Sequence, residues 1–240
     1  MTLDANFIQK ILDLAPAREH QIAGKTYTDK QLFLIKPPVL SCIQVNTVTA
    51  VEDFCRNKLA ADGNKYIIHI EGPTSIQVMS DADEDFKLRE CPINAKLLSE
   101  SFVFGRFMPT EMFIIALQSQ FVQDETTAAL LRLVGNLTTT SESKTLDDGV
   151  TQTVEARKGL SKLEMAVVPN PVMLAPYRTF LEVEQPYSNF VFRINADSHS
   201  CALFEADGGA WKNEAVLRLK ERITGTLADI NKDGKFTVLA

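Results

Sequence analysis

Two spacings of apolar residues alternate along this chain and divide it into helices and strands. Phe7, Ile11 and Leu14 share one helical face with Leu3, so residues 3–14 are expected as a short amphipathic helix. Val51, Phe54, Cys55 and Leu59 repeat the pattern, and Thr49-Ala50-Val51-Glu52 fits a capping box at its start. Pro109-Thr110-Glu111 opens a helix whose Phe113, Leu117 and Phe121 recur at four-residue spacing. Another covers Thr126 to about Val134, with Gly135 as its expected C-terminal stop. The last runs from about Ala210 to Leu227, with Val216, Leu219, Ile223 and Leu227 on its apolar face.

Strand patterns fill the intervals. Tyr66–Ile70 and Ser75–Met79 flank Glu71-Gly72-Pro73-Thr74, a hairpin signal. Val150, Gln152, Val154 and Ala156 alternate with Thr151, Thr153 and Glu155, and Phe190, Phe192 and Ile194 form another alternating strand. Ala202-Leu203-Phe204 and Lys235–Leu239 complete the set. Residues 32–45 read as extended around Pro37-Pro38, and Asp81, Asp83, Glu84 and Asp85 as a solvated loop. These elements predict a mixed α+β fold, a sheet with packed helices that ends in a strand–strand–helix–strand unit. Phe190, Phe192, Leu203, Phe204, Leu219 and Ile223 are expected to share one C-terminal core. The chain reads as a single domain, 1–240, and the polar, turn-rich stretch 138–149 marks its best internal boundary.

Composition narrows the class. The 240 residues are 45% hydrophobic and 23% charged, as in an ordinary globular protein. The net charge of −6 has no basic half or tail to offset it, which disfavours phosphate-backbone binding. No basic-then-apolar leader opens the chain, and its longest apolar run, Met112–Leu117, is far short of the roughly 20 residues of a membrane helix. Cys42, Cys55, Cys91 and Cys201 are widely spaced and expected as reduced, mostly buried thiols, consistent with a cytoplasmic protein.

Few patterns carry chemistry. Asp229-Ile230-Asn231-Lys232-Asp233-Gly234 imitates the first half of a calcium loop. Ala240 stands where the bidentate Glu belongs, so a plain turn is expected. Glu205-Ala206-Asp207-Gly208-Gly209-Ala210-Trp211-Lys212 lies at a strand-to-helix junction. Asp207 is expected as the helix N-cap, with an anion site or a metal-assisted site as alternatives. In Pro176–Pro186, an extended segment would put Glu182 and Glu184 on one face. They would pair there with Arg178 or Arg193, or else hold a metal. His69 and Glu71, and His199 and Cys201, share faces without a third zinc ligand, and neither metal nor cofactor is assigned.

Several of these stretches resemble a family of phage and prophage proteins with no assigned activity, common in tailed phages of Gram-positive and related bacteria. The residues are Asp147-Asp148-Gly149-Val150-Thr151-Gln152, Val168-Pro169-Asn170-Pro171-Val172, Pro176-Tyr177-Arg178-Thr179-Phe180, Glu182-Val183-Glu184-Gln185-Pro186, Phe190-Val191-Phe192-Arg193 and Ala202–Lys212. A weaker likeness covers Phe113–Ser119, and the layout is distantly similar to YfdQ-like prophage proteins. The resemblance implies an accessory protein in the cytoplasm of an infected bacterial cell and transfers no catalytic residues.

Three functions follow. The first is a non-enzymatic protein acting through homo-oligomeric assembly and ligand or partner binding, for instance in counter-defence or host take-over. Its partners would be a second copy of itself, a small anionic ligand or a host protein. Its contact residues would be Arg178, Glu182, Glu184, Arg193, Glu205, Asp207, Trp211 and Lys212. The second is a metal-assisted phosphoesterase or hydrolase using Glu182, Glu184, Glu205 and Asp207. The third is a nucleic-acid accessory protein of phage recombination. Convergence of the four carboxylates on one cleft separates the second reading from the first.

Overall fold

In a computed structural model, the apolar patterns become two separate cores rather than one. The structure describes residues 4–31, 41–82, 88–98, 102–138, 143–147, 152–157, 163–167, 170–195 and 197–240. Leu3, Pro37-Pro38, the acidic Asp83-Glu84-Asp85 and much of 138–149 lie outside them. Contacts divide the chain into two units, Met1–Val39 and Leu40–Ala240.

The first unit holds helix α1 (Ala5–Leu14) and the antiparallel hairpin β1 (Glu19–Ile22) and β2 (Lys25–Thr28). Asp4 caps α1 by accepting the Asn6 N–H. Ala23 and Gly24 turn the hairpin with positive φ values of 51° and 75°, the backbone a two-residue connection of this hand requires. Lys30 Nζ donates to the carbonyls of Asp13 and Ala15, orphan acceptors at the helix end. The helix forms as its spacing predicts, yet it buries no residue; Phe7, Ile11 and Leu14 are all exposed.

The second unit begins with β3 (Ile43–Val45), α2 (Val48–Phe54) with a π-helical turn Cys55–Leu59, β4 (Tyr66–Gly72), β5 (Ser75–Ser80) and β6 (Ile93–Lys96). There follow β7 (Met108–Pro109), α3 (Thr110–Gln120), α4 (Glu125–Thr138), β8 (Ser143–Asp147), β9 (Gln152–Arg157) and β10 (Leu163–Val167). The chain ends with β11 (Val172–Leu174), β12 (Ser188–Asn195), β13 (Ser200–Glu205), α5 (Ala210–Thr226) and β14 (Phe236–Leu239). The α+β class holds.

Sheet pairing separates what the sequence order runs together. A five-stranded sheet has the order β14-β4-β5-β6-β3, parallel at its outer pairs and antiparallel between. A four-stranded antiparallel sheet has the order β11-β12-β13-β7, and β10-β9-β8 form a third, antiparallel sheet. β12 and β13 therefore lie in one sheet and β14 in another. Leu219 and Ile223 of α5 and its C-cap Leu227 pack on the five-stranded sheet with Val51, Ile68 and Ile76. Phe190, Phe192 and Leu203 pack with Phe113 of α3, its C-cap Phe121 and Leu130 of α4. The expected common C-terminal core is thus two cores, because α5 crosses from one sheet to the other before burying its apolar face.

Two helix boundaries also move. The N-cap of α2 is Thr47, whose hydroxyl accepts the Ala50 N–H at 3.2 Å; Glu52 turns away to Arg222 instead of closing a box at Thr49. Helix α4 runs through Gly135, so that glycine is interior and not a stop.

Candidate functional site

The densest polar chemistry lies between these cores, on the segment leaving β11. Residues 178–185 do not form the extended strand that alternation suggests. Buried Gln185 folds them back: its Oε1 accepts the N–H groups of Arg178 and Thr179 at 3.1 and 3.2 Å. Its Nε2 donates to the carbonyls of Phe180 and Val183 at 3.1 and 3.2 Å. Thr179 Oγ1 donates to the Pro73 carbonyl at 2.6 Å, tying the segment to the β4–β5 turn.

This fold sends the charged side chains in opposite directions. Arg178 enters the interior and is only 4% exposed. Its guanidinium carbon stands 3.9 Å from the Trp211 ring centroid, 5.5 Å from Phe190 and 5.8 Å from Phe104. Its Nη1 donates to Glu205 Oε1 at 2.7 Å and its Nη2 to the Ser188 hydroxyl. Glu182 turns the other way and accepts the N–H of Val48 at 2.9 Å, at the positive end of α2. Glu184 faces Arg218 at 3.3 Å. Arg193 donates to the Phe192 carbonyl from β12. The expected pairing of Arg178 or Arg193 with Glu182 or Glu184 is therefore replaced by Arg178–Glu205 and Glu184–Arg218, because a folded-back segment has no common carboxylate face.

Asp207 holds the junction to α5. Its Oδ1 accepts the Gly209 N–H at 3.0 Å, and its carbonyl accepts that of Ala210 at 3.2 Å. The N-cap itself is Gly209, with φ of 83°, so Asp207 braces the turn from two residues upstream. Burial pushes the Asp207 carboxyl up, but Ser188, the Gly209 N–H and Arg178 outweigh it and hold it below the usual value. Burial presses the Arg178 guanidinium down to about 10, against Glu205 and Asp207, so it stays protonated at neutral pH.

Arg178 and Glu205 line a cavity of about 380 Å³, within the range of small-molecule pockets. Its walls are Phe102, Phe104 and Trp211; its polar groups are Arg178, Glu205 and Lys212, with Thr74 and Leu97 from the five-stranded sheet. Arg178 Nε, Trp211 Nε1 and Asp207 Oδ2 are buried and have no hydrogen-bond partner within the protein. Buried donors of this kind are rare because each carries a desolvation cost.

Of the eight contact residues expected from sequence, Arg178, Glu205, Asp207, Trp211 and Lys212 come together, while Glu182, Glu184 and Arg193 do not. The four carboxylates of the hydrolase reading split into two pairs, and no metal-binding cluster of three His, Cys, Asp or Glu residues exists among the described residues. Sequence alone gives Phe102, Phe104 and Gln185 no site role; Phe102-Val103-Phe104 looks like ordinary core, and Gln185 lies in a family-like stretch that assigns it no function. In the calcium-like loop, Asp229 pairs with Arg56 at 2.6 Å and Asn231 brackets both polar groups of the Phe236 backbone, as a helix-to-strand turn requires. Among the described residues no helix is long and apolar enough to cross a membrane. No family model, curated protein or solved structure matches the chain.

Proposed function

We propose that this chain is a binding protein whose Arg178 cavity takes a small organic anion carrying a planar ring. One observation carries the reading: an arginine almost wholly removed from water lines a ring-walled cavity while its Nε has no partner. Arg178 and Lys212 are balanced by Glu205 and Asp207, so an anion would be drawn by the position of the two cations at the lining and not by a net charge. Lys212 at the lining offers donors to acceptors on the ligand, and Phe102 and Phe104 offer flat faces to a ring. Of the four carboxylates that a hydrolase would need, Glu182 and Glu184 are engaged elsewhere, at Val48 and Arg218. An accessory role in a phage-infected cytoplasm remains the setting that the family resemblance implies. Homo-oligomeric assembly is a second reading, favoured by the exposed Phe7, Ile11 and Leu14 of α1.

Trp211 is the only tryptophan, so its fluorescence reports the site alone. Titration with benzoate, AMP and UMP is expected to shift that emission saturably, with inorganic phosphate and adenosine weaker than AMP. Arg178→Met is expected to remove the response. No response to any ring-bearing anion at millimolar concentration refutes the reading. Native mass spectrometry of the same sample weighs the assembly, and a monomer throughout refutes the second reading.

A further inference from the structure

Cys42 and Cys91 are 49 residues apart in sequence, yet their sulfurs stand 2.9 Å apart. Cys42 enters β3, and Cys91 enters β6, its parallel neighbour; the Ile43 N–H donates to the Pro92 carbonyl between them at 3.0 Å. Gln77 Nε2 from the next strand donates to Cys91 Sγ at 3.2 Å and fixes that side chain. Both thiols are partly exposed, whereas Cys55 and Cys201 are buried. Proximity, register and access thus coincide at one pair and at neither other cysteine.

We propose that Cys42 and Cys91 form a reversible thiol–disulfide site that fastens the edge strand β3 to the five-stranded sheet, with a low-molecular-weight disulfide such as oxidised glutathione as its oxidant. Burial and the adjacent Cys91 thiol push Cys42 up to about 12, and Gln77 holds Cys91 Sγ in place, so the first attack is assigned to Cys91. Cys91 loses its proton and attacks one glutathione sulfur. The glutathione S–S bond breaks, and the leaving thiolate takes up a proton. Cys42 then loses its proton and attacks the Cys91 sulfur, forming the protein S–S bond and releasing the second glutathione as a thiol. Two electrons pass from the protein to glutathione, and two glutathione thiols result. Bond formation closes the sulfurs to about 2.05 Å, a short movement for partly exposed side chains at strand ends. An edge strand of three residues has few ladder bonds of its own, so a covalent tie there changes its opening most.

The test uses the full chain incubated with oxidised glutathione, alkylated with iodoacetamide and mapped by peptide mass spectrometry. The expected product is a Cys42–Cys91 cross-linked peptide two hydrogens lighter than the thiol pair, with loss of both alkyl adducts and with Cys55 and Cys201 still thiols. Cys42→Ser is expected to accumulate a glutathione adduct at Cys91, and Cys91→Ser to leave Cys42 unmodified. Amide exchange across Ile43–Val45 is expected to slow in the cross-linked form and to recover with dithiothreitol. Alkylation of both cysteines after oxidation, or separate glutathione adducts on each, overturns the proposal. A cross-link that leaves Ile43–Val45 exchange unchanged overturns the fastening of β3.

Discussion

The two cores of the second unit are built from different side chains. In the first, Val48 and Val51 of α2 pack with Ile68, Ile76, Val78 and Ile93 of the five-stranded sheet and with α5; in the second, Phe113 of α3 and Phe121 pack with Phe190 and Phe192 of the four-stranded sheet and with α4. Branched aliphatic chains interlock and close on themselves, and the polar work of the first core is left to its rim. There, Glu52, only 4% exposed, meets Arg222 through two contacts of 3.1 Å. Rings instead leave flat faces at their margin. Phe104 stacks on Phe190 at 5.1 Å, and Arg178 lies over both. The difference teaches why the cavity grows from the aromatic side: a ring face can still attract a cation after its edges are buried.

The largest expected effect sets the two cores against each other. Phe192→Ala removes a fully buried ring stacked on Phe113 at 5.5 Å and is expected to cost about 4 kcal/mol. Ile68→Ala, the matching truncation in the aliphatic core, is expected to cost about 3 kcal/mol. Urea denaturation measures both, and equal losses break the comparison. A smaller effect concerns the join. Gln185→Ala leaves the buried N–H groups of Arg178 and Thr179 without their acceptor and is expected to cost about 2 kcal/mol. It should also weaken the Trp211 fluorescence response to AMP, since Gln185 sets the backbone that presents Arg178. Unchanged stability with an unchanged response removes Gln185 from the site's support.

The smallest effect is acid sensitivity at each rim. Burial opposes ionisation of Asp62, yet Lys235 and Tyr66 hold its carboxyl below the usual value; Asp207 is lowered likewise. A lowered carboxyl contributes stability that is complete above the ordinary value near 3.8 and is lost as pH falls through the folded value. Melting temperatures should therefore fall below about pH 4, and Asp62→Asn and Asp207→Asn should each flatten that fall. A limb equally steep in both variants assigns the acid loss to other carboxylates.

Local spacing made most elements legible. The β4–β5 hairpin, the start of α3, the strands β12 and β13, and the apolar face of α5 follow from short-range periodicity, which senses a residue's own helix or strand. Which sheet that face meets is a long-range fact, so Leu219 and Phe190 looked like neighbours although they serve separate cores. The site was half legible for the same reason. Glu205, Asp207, Trp211 and Lys212 are close in sequence and stood out together. Phe104 joins them from a hundred residues away, and the fold-back at Gln185 depends on one side chain satisfying the backbone at both ends of a turn. Cys42 and Cys91 were invisible as a pair because only strand register brings them together.

The eight residues from Arg178 to Gln185 also have a mechanical meaning. One end is bonded to Glu205 of the four-stranded sheet, and Thr179 to the turn of the five-stranded sheet. The carbonyl of Glu182 accepts from Arg222 of α5, while its carboxylate accepts from the first turn of α2. Sliding one sheet past the other would have to break these links together, so the segment acts as a shear key. Hinging of the two sheets about this segment breaks fewer of these links than sliding does, so hinging is the expected relative motion.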